Sequence, residues 1–269
     1  MMRCVLAAAM ALVVSLAAAQ QKVGFVYYDV DRLYDTVPSA FYDDEAFTPS
    51  GRLGWNTGRY RRKVESVAAT LDSMAMPVVA LFGVENEAVV RDIAACCSAD
   101  YSYIHRTINS LDGMDFALLY FGDLFFPERV RCDGRMLYVR GRMLGRLTVL
   151  LLCRDRSDAR TVVSEIRRSE PDAALIVMGR VDARALERYG LADVLAGEER
   201  AGRGTRFSGG AWRMTSRVCV DTALCASAGI YARRRLFDNR GERPLPTFDG
   251  RRYAGGAGSE LPVFFYVWR

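Results

Sequence analysis

Val23-Gly24-Phe25-Val26-Tyr27-Tyr28-Asp29-Val30, running straight into Asp31-Arg32-Leu33-Tyr34-Asp35, decides how this chain folds. The first eight residues form an apolar and aromatic run of strand length, and Asp31 to Thr57 is a long polar loop with turn formers at Pro38, Pro49 and Gly51. Beyond it, Val64, Val67, Leu71 and Met74 recur at steps of three and four, which places one apolar stripe on a helix. Pro77 to Phe82 is a short apolar strand and Glu85 to Cys97 is again helical. Extended segments then follow at Ser102 to Arg106, Asp115 to Phe121, Met136 to Met143 and Leu147 to Leu152. A helix with Ala159, Val162, Val163 and Ile166 inward, the strand Ala173 to Met178 and a short helix around Asp182 to Tyr189 come next. The last third is rich in Gly and Arg and ends in the strand Pro262 to Trp268. Strands in hairpin succession mixed with crossing helices predict two packed sheets sheathed by helices.

The 269 residues are 51% hydrophobic and 26% charged, which excludes a disordered, collagenous or low-complexity chain. Of the 37 basic residues only Lys22 and Lys63 are lysine. Thirty-two acids are interspersed with them, so the net charge of +5 describes a mildly basic surface and not a nucleic-acid tail. His105 is the only histidine and therefore the only candidate for imidazole chemistry; it reads as a strand residue satisfied by its surroundings. Met1 to Arg3 followed by the apolar run Cys4 to Ala19 reads as a secretory signal peptide, residues 1–19. The remainder, 20–269, is expected to be one exported domain, periplasmic or extracellular, with no stable membrane span after cleavage. Six cysteines remain beyond the signal, at spacings that match neither a zinc motif nor a dense disulfide scaffold.

The ordered motifs resemble the endonuclease/exonuclease/phosphatase superfamily, which shares the fold of pancreatic deoxyribonuclease, and more closely its secreted bacterial members. Tyr28 to Asp35 is similar to the family's Y-N-V-E-N-L-F-D and Gly113-Met114-Asp115-Phe116-Ala117-Leu118-Leu119-Tyr120 to G-I-D-V-A-L-L-Y. Phe47-Thr48-Pro49, Trp55, Val84-Glu85-Asn86, Met178-Gly179, Trp212, Pro246-Thr247-Phe248 and Leu261-Pro262-Val263 continue the series. The resemblance implies an α/β fold, a four-layer α-β-β-α sandwich with two packed mixed β-sheets. It also implies metal-assisted phosphoester hydrolysis, in which carboxylates hold a divalent cation, an aspartate orients water and histidines serve the phosphoryl oxygens.

The positions that carry this chemistry are altered. The strand-one asparagine is Asp29. The metal glutamate falls on Gly83, which has no ligand atom, and the N-H-W-P-S-R histidine is absent from Leu151 to Arg156. In G-D-F-N-D the water-orienting aspartate becomes Arg180, the asparagine Asp182 and the last aspartate Ala183. The D-Q pair becomes Ser216-Arg217, and S-D-H becomes Gly258-Ser259-Glu260. The resemblance thus implies a pseudoenzyme with degenerate catalytic positions at Gly83, Arg180, Asp182, Ser216, Ser259 and Glu260, and no expected cofactor. Arg180 and Arg217 are its candidate contacts to an anionic small molecule or a nucleic-acid backbone. The alternative is a phosphoesterase or nuclease with relocated ligands, Asp29, Glu85 and Asp182, holding Mg²⁺ or Mn²⁺; Glu85, two residues beyond Gly83, would share its face in an extended segment.

Overall fold

The carboxyl ends of two parallel strand pairs meet at one edge of the molecule, and the rest of the fold holds them there. The computed structural model describes residues 21–108, 110–133, 135–156 and 159–268, so the segment read as a signal peptide lies outside the described residues. β1 (Val23–Leu33) is longer than its apolar run, continuing through Asp31 and Arg32. It crosses over through α1 (Thr57–Met74) to the parallel strand β2 (Val78–Val84), and then come α2 (Glu87–Cys96), β3 (Ser102–Arg106) and β4 (Asp115–Tyr120). The chain continues through β5 (Phe125–Asp133), β6 (Met136–Met143) and β7 (Arg146–Cys153). It crosses through α3 (Ala159–Ser169) to the parallel strand β8 (Ala174–Gly179). The final third contains α4 (Ala183–Glu187), β9 (Leu191–Asp193), α5 (Ala196–Arg200), β10 (Arg206–Ser208), β11 (Ala211–Arg213), β12 (Arg217–Asp221), β13 (Cys225–Ile230), β14 (Phe248–Asp249), β15 (Arg252–Tyr253) and β16 (Val263–Trp268).

Two mixed six-stranded sheets result, ordered β13-β16-β1-β2-β4-β3 and β5-β6-β7-β8-β12-β9. Alternation along the strands sorts side chains between layers. Phe25, Val78, Leu118 and Phe265 of the first sheet pack on Leu137, Leu150, Ile176 and Val218 of the second. The opposite face of the first sheet, with Val26, Tyr28, Val79 and Leu81, meets Val64, Val67 and Leu71 of α1 and Val89, Val90 and Ile93 of α2. The opposite face of the second, with Val149, Leu151, Leu175 and Val177, meets Val163 and Ile166 of α3 and Leu186 of α4. The architecture is the expected four-layer α-β-β-α sandwich. Two expectations shift locally. The helix read from Glu85 begins at Glu87, because the Asn86 carboxamide accepts the Val89 amide and caps it. β5, which the sequence hides behind Pro127 and alternating charges, pairs with β6 through a bulge between Pro127 and Arg129.

Candidate functional site

β1 loses register with β2 between Asp29 and Leu33, and in that irregularity Asp31 and Arg32 adopt left-handed backbone, φ 51° and 56°. Such conformations cost non-glycine residues roughly 1–2 kcal/mol each. Lys63 holds the kink from beneath. This fully buried side chain of α1 donates Nζ to the carbonyls of Asp31 (2.6 Å) and Arg32 (3.3 Å). Burial lowers the Lys63 ammonium to about 8. Opposite the kink, Gly83 of β2 sits at φ 88°, and a Cβ there would lie 3.2 Å from the Arg32 nitrogen and 3.3 Å from the Asp31 nitrogen and from Asp29 Oδ1. A side chain at the position where the metal glutamate was expected would therefore be strained and would press on the kink.

Beside the kink lies a recess of about 230 Å³, lined by Asp29, Arg32, Arg154, Arg180, Arg206 and Glu260 among others. The Asp29 and Glu260 side chains are only 8% and 2% exposed. Asp29 Oδ1 accepts the Asp31 amide at 3.0 Å, and its Oδ2 accepts Arg180 Nη2 at 3.1 Å. Glu260 Oε2 accepts hydroxyls from Ser216 (2.7 Å), Thr215 (2.8 Å) and Thr205 (3.4 Å). Its Oε1 is buried without a hydrogen bond, 3.6 Å from both Arg180 Nη2 and Arg206 Nη1. A single guanidinium thus stands between two buried carboxylates. Ser259 Oγ donates to Asp31 Oδ2 at 2.7 Å, and Arg154 Nη2 to Asp112 Oδ2 at 2.7 Å.

The electrostatics follow from burial. Desolvation, reinforced by the neighbouring Glu260 carboxylate, outweighs Arg180 and pushes Asp29 up to about 7. Although burial works against it, Asp31 is held below the usual range by Lys63, Ser259 and Arg32. Because Asp29 titrates near 4 in an unfolded chain and near 7 here, the folded state binds more protons across that window. Its contribution to stability is complete below pH 4 and is lost as pH rises through 7. Glu85, which burial also pushes to about 7, acts in the same direction. Urea denaturation is expected to show stability falling by roughly 2–4 kcal/mol between pH 5 and pH 8.

Several expected site residues come together here: Asp29, Gly83, Arg180, Ser216, Ser259 and Glu260. Three do not. Arg217 opens β12 on the side opposite Ser216 and is engaged by Asp193 (2.6 Å) and Glu199 (2.5 Å), so it is no cleft ligand. Glu85 accepts the Asp35 amide and the Tyr42 hydroxyl (2.8 Å) outside the recess, because the register shift at Gly83 breaks the alternation that would have kept both residues on one face. Asp182 caps α4, accepting the Ala185 amide at 3.3 Å. The relocated set of Asp29, Glu85 and Asp182 is therefore not assembled. Among the described residues, no three His, Cys, Asp or Glu side chains converge closely enough to hold a metal ion. His105 lies in β3 with Nε2 3.0 Å from Asp115 Oδ2, satisfied by its neighbour as expected. Arg32, Arg154 and Arg206 were missed as cleft residues; in a chain with so many arginines, only convergence in space distinguishes them.

The family model described as Endonuclease/Exonuclease/phosphatase family matches residues 24–151, the stretch from β1 through most of β7 that supplies Asp29, the kink and Gly83. Solved structures share this fold over more than nine-tenths of the chain. The fold is that of the endonuclease/exonuclease/phosphatase superfamily, and the first half of the chain is similar to that family in sequence. Humanized D. rerio TDP2 bearing 14 mutations shares 14% identity at a TM-score of 0.60 over 92% of this chain and 99% of its own. The Bacteroides thetaiotaomicron VPI-5482 mannosyl-6-phosphatase Bt3783 shares 12% identity at a TM-score of 0.61 over 92% of this chain and 100% of its own. D. rerio TDP2 complexed with single strand DNA product shares 14% identity at a TM-score of 0.59 over 93% and 100%. Identities this low establish the superfamily fold and leave the reaction to the site. A search of curated proteins found no match. Among the described residues, no helix is long and apolar enough to cross a membrane.

Proposed function

We propose that this chain is a catalytically silent member of the superfamily, exported by its N-terminal segment, whose cleft binds a phosphorylated or otherwise anionic ligand without metal. The observation that carries the reading is the Arg180 guanidinium between Asp29 and Glu260, 3.1 Å and 3.6 Å from their oxygens. A fixed positive charge there neutralises the carboxylates in a cation's stead and, through like-charge repulsion, opposes entry of a divalent ion. Arg32 and Arg206 present further guanidinium edges at the mouth, suited to a phosphoryl group, while Glu260 Oε1 is placed to accept from its acidic hydroxyl. Two of the structural neighbours, a mannosyl-6-phosphatase and a TDP2 complexed with single strand DNA product, support a phosphoryl ligand by analogy.

The test has two arms. With Mg²⁺, Mn²⁺ or Ca²⁺, the protein is expected to give no turnover of phosphomonoesters, phosphodiesters or DNA above a metal-free blank. In EDTA, calorimetry with inorganic phosphate, mononucleotides and short DNA is expected to show binding that Arg206→Ala weakens at least tenfold. Metal-dependent turnover abolished by Asp29→Ala would replace this reading with that of a working hydrolase. Absence of heat with every anion would remove the ligand and leave an inert cleft.

A further inference from the structure

The two large sheets present four edges, and three of them are blunted against pairing with another strand. β5 carries Pro127, the bulge between Pro127 and Arg129, and the charges of Glu128, Arg129 and Arg131. β9 is three residues long. β3 ends in Arg106, whose Nη1 donates to the His105 carbonyl at 2.7 Å and so occupies a strand acceptor with the strand's own side chain. β13 has none of these devices. Its six residues, Cys-Ala-Ser-Ala-Gly-Ile, include no charge and no proline, and they pair with β16 from Cys225↔Trp268 to Ile230↔Val263 without a register shift. In an antiparallel ladder every second residue turns its N–H and C=O away from its partner, and none of the described residues hydrogen-bonds to the outward set of β13.

Independently of what the cleft does, the geometry points to β13 as a self-association edge that takes β13 of a second copy of this chain, antiparallel across a two-fold axis that passes beside Ser227, so that each Ser227 faces its own copy. The unmet groups are backbone donors and acceptors in extended register, which fixes the occupant as a strand. Recognition of a foreign peptide by strand addition draws its specificity from pockets for alternate side chains. Ala226, Ala228 and Gly229 build no such pockets, and a Cβ on Gly229 would meet the Phe264 ring at 2.8 Å. A strand of the same small residues fits without them. The two-fold places Ser227 opposite Ser227 and Ala226 opposite Ala228 of the second copy, so no bulk and no charge keeps the two edges apart, and the first sheet becomes a continuous one of twelve strands. Six residues of edge bury much less than a standard interface of about 1,600 Å², so the dimer is expected to be weak, with a dissociation constant on the order of 100 μM.

Sedimentation of the full chain from 5 to 500 μM tests this, together with hydrogen exchange at residues 225–230 over the same range. The weight-average mass is expected to climb toward twice that of the monomer, and outward amides of β13 to become protected in step. Ser227 is exposed, so Ser227→Lys is expected to keep the thermal midpoint while weakening association at least tenfold, whereas Ser227→Val retains it. A chain that stays monomeric at 500 μM, or a dimer that Ser227→Lys leaves intact, would overturn the assignment. So would protection of 225–230 that does not change on dilution, which would put another segment of the same chain on the edge. Protection induced only by an added extended peptide would likewise replace the second copy with a foreign strand.

Discussion

Arg180→Ala is expected to destabilise the protein by about 2–3 kcal/mol at pH 7.5, and by distinctly less at pH 5. Removing one member of a buried ion pair typically costs about 3–5 kcal/mol, because the partner is left charged and desolvated. The lower end applies here because the guanidinium keeps 41% of its surface in water, whereas Asp29 and Glu260 are nearly sealed. The pH dependence separates this from a packing effect. Asp29, already held near 7, rises further without Arg180 and takes up a proton as the pH falls, and a neutral carboxyl no longer needs a counter-charge. Urea denaturation of wild type and variant at both pH values measures it. An equal loss at pH 5 and pH 7.5 would show that the guanidinium contributes contacts and not charge compensation.

The second large effect is expected at Gly83. Gly83→Glu, which returns the residue type that the superfamily uses for its metal, should lower stability by about 2–4 kcal/mol without producing metal-dependent activity. Two costs combine. A residue at φ 88° carries left-handed strain of roughly 1–2 kcal/mol. Its Cβ would also press on the backbone nitrogens of Asp31 and Arg32 at 3.3 Å and 3.2 Å, where Lys63 leaves the kink little freedom to move. Gly83→Ala should show most of the same loss, because the conflict begins at Cβ. If Gly83→Glu were as stable as wild type and bound Mn²⁺, the kink would be pliant and the site one substitution from recovery.

Much of the fold was legible because its strands are apolar runs bounded by turn formers. β3 and β6 match the sequence reading to the residue, and β4, β7, β8 and β16 to within one or two. β5 was not legible, since a strand at a sheet edge can carry Pro127 and alternating charges that would be excluded from the interior. In the last third, β9, β12 and β13 are short and owe their extended form to partners distant in sequence. At the site, the exchange of an acid for Arg180 could be read directly from the motif. The fates of Glu85 and Arg217 could not, because each depends on which way the backbone turns. The left-handed kink of β1 and the conformation of Gly83 reverse the faces that simple alternation assigns.

Titration of the wild-type protein with Mn²⁺, followed by the electron paramagnetic resonance of the free ion, tests most directly whether a guanidinium has taken the cation's place. Free-ion signal is expected to rise in proportion to added Mn²⁺ through the millimolar range, unchanged by Asp29→Ala. Stoichiometric uptake at micromolar Mn²⁺ that disappears with Asp29→Ala would contradict it.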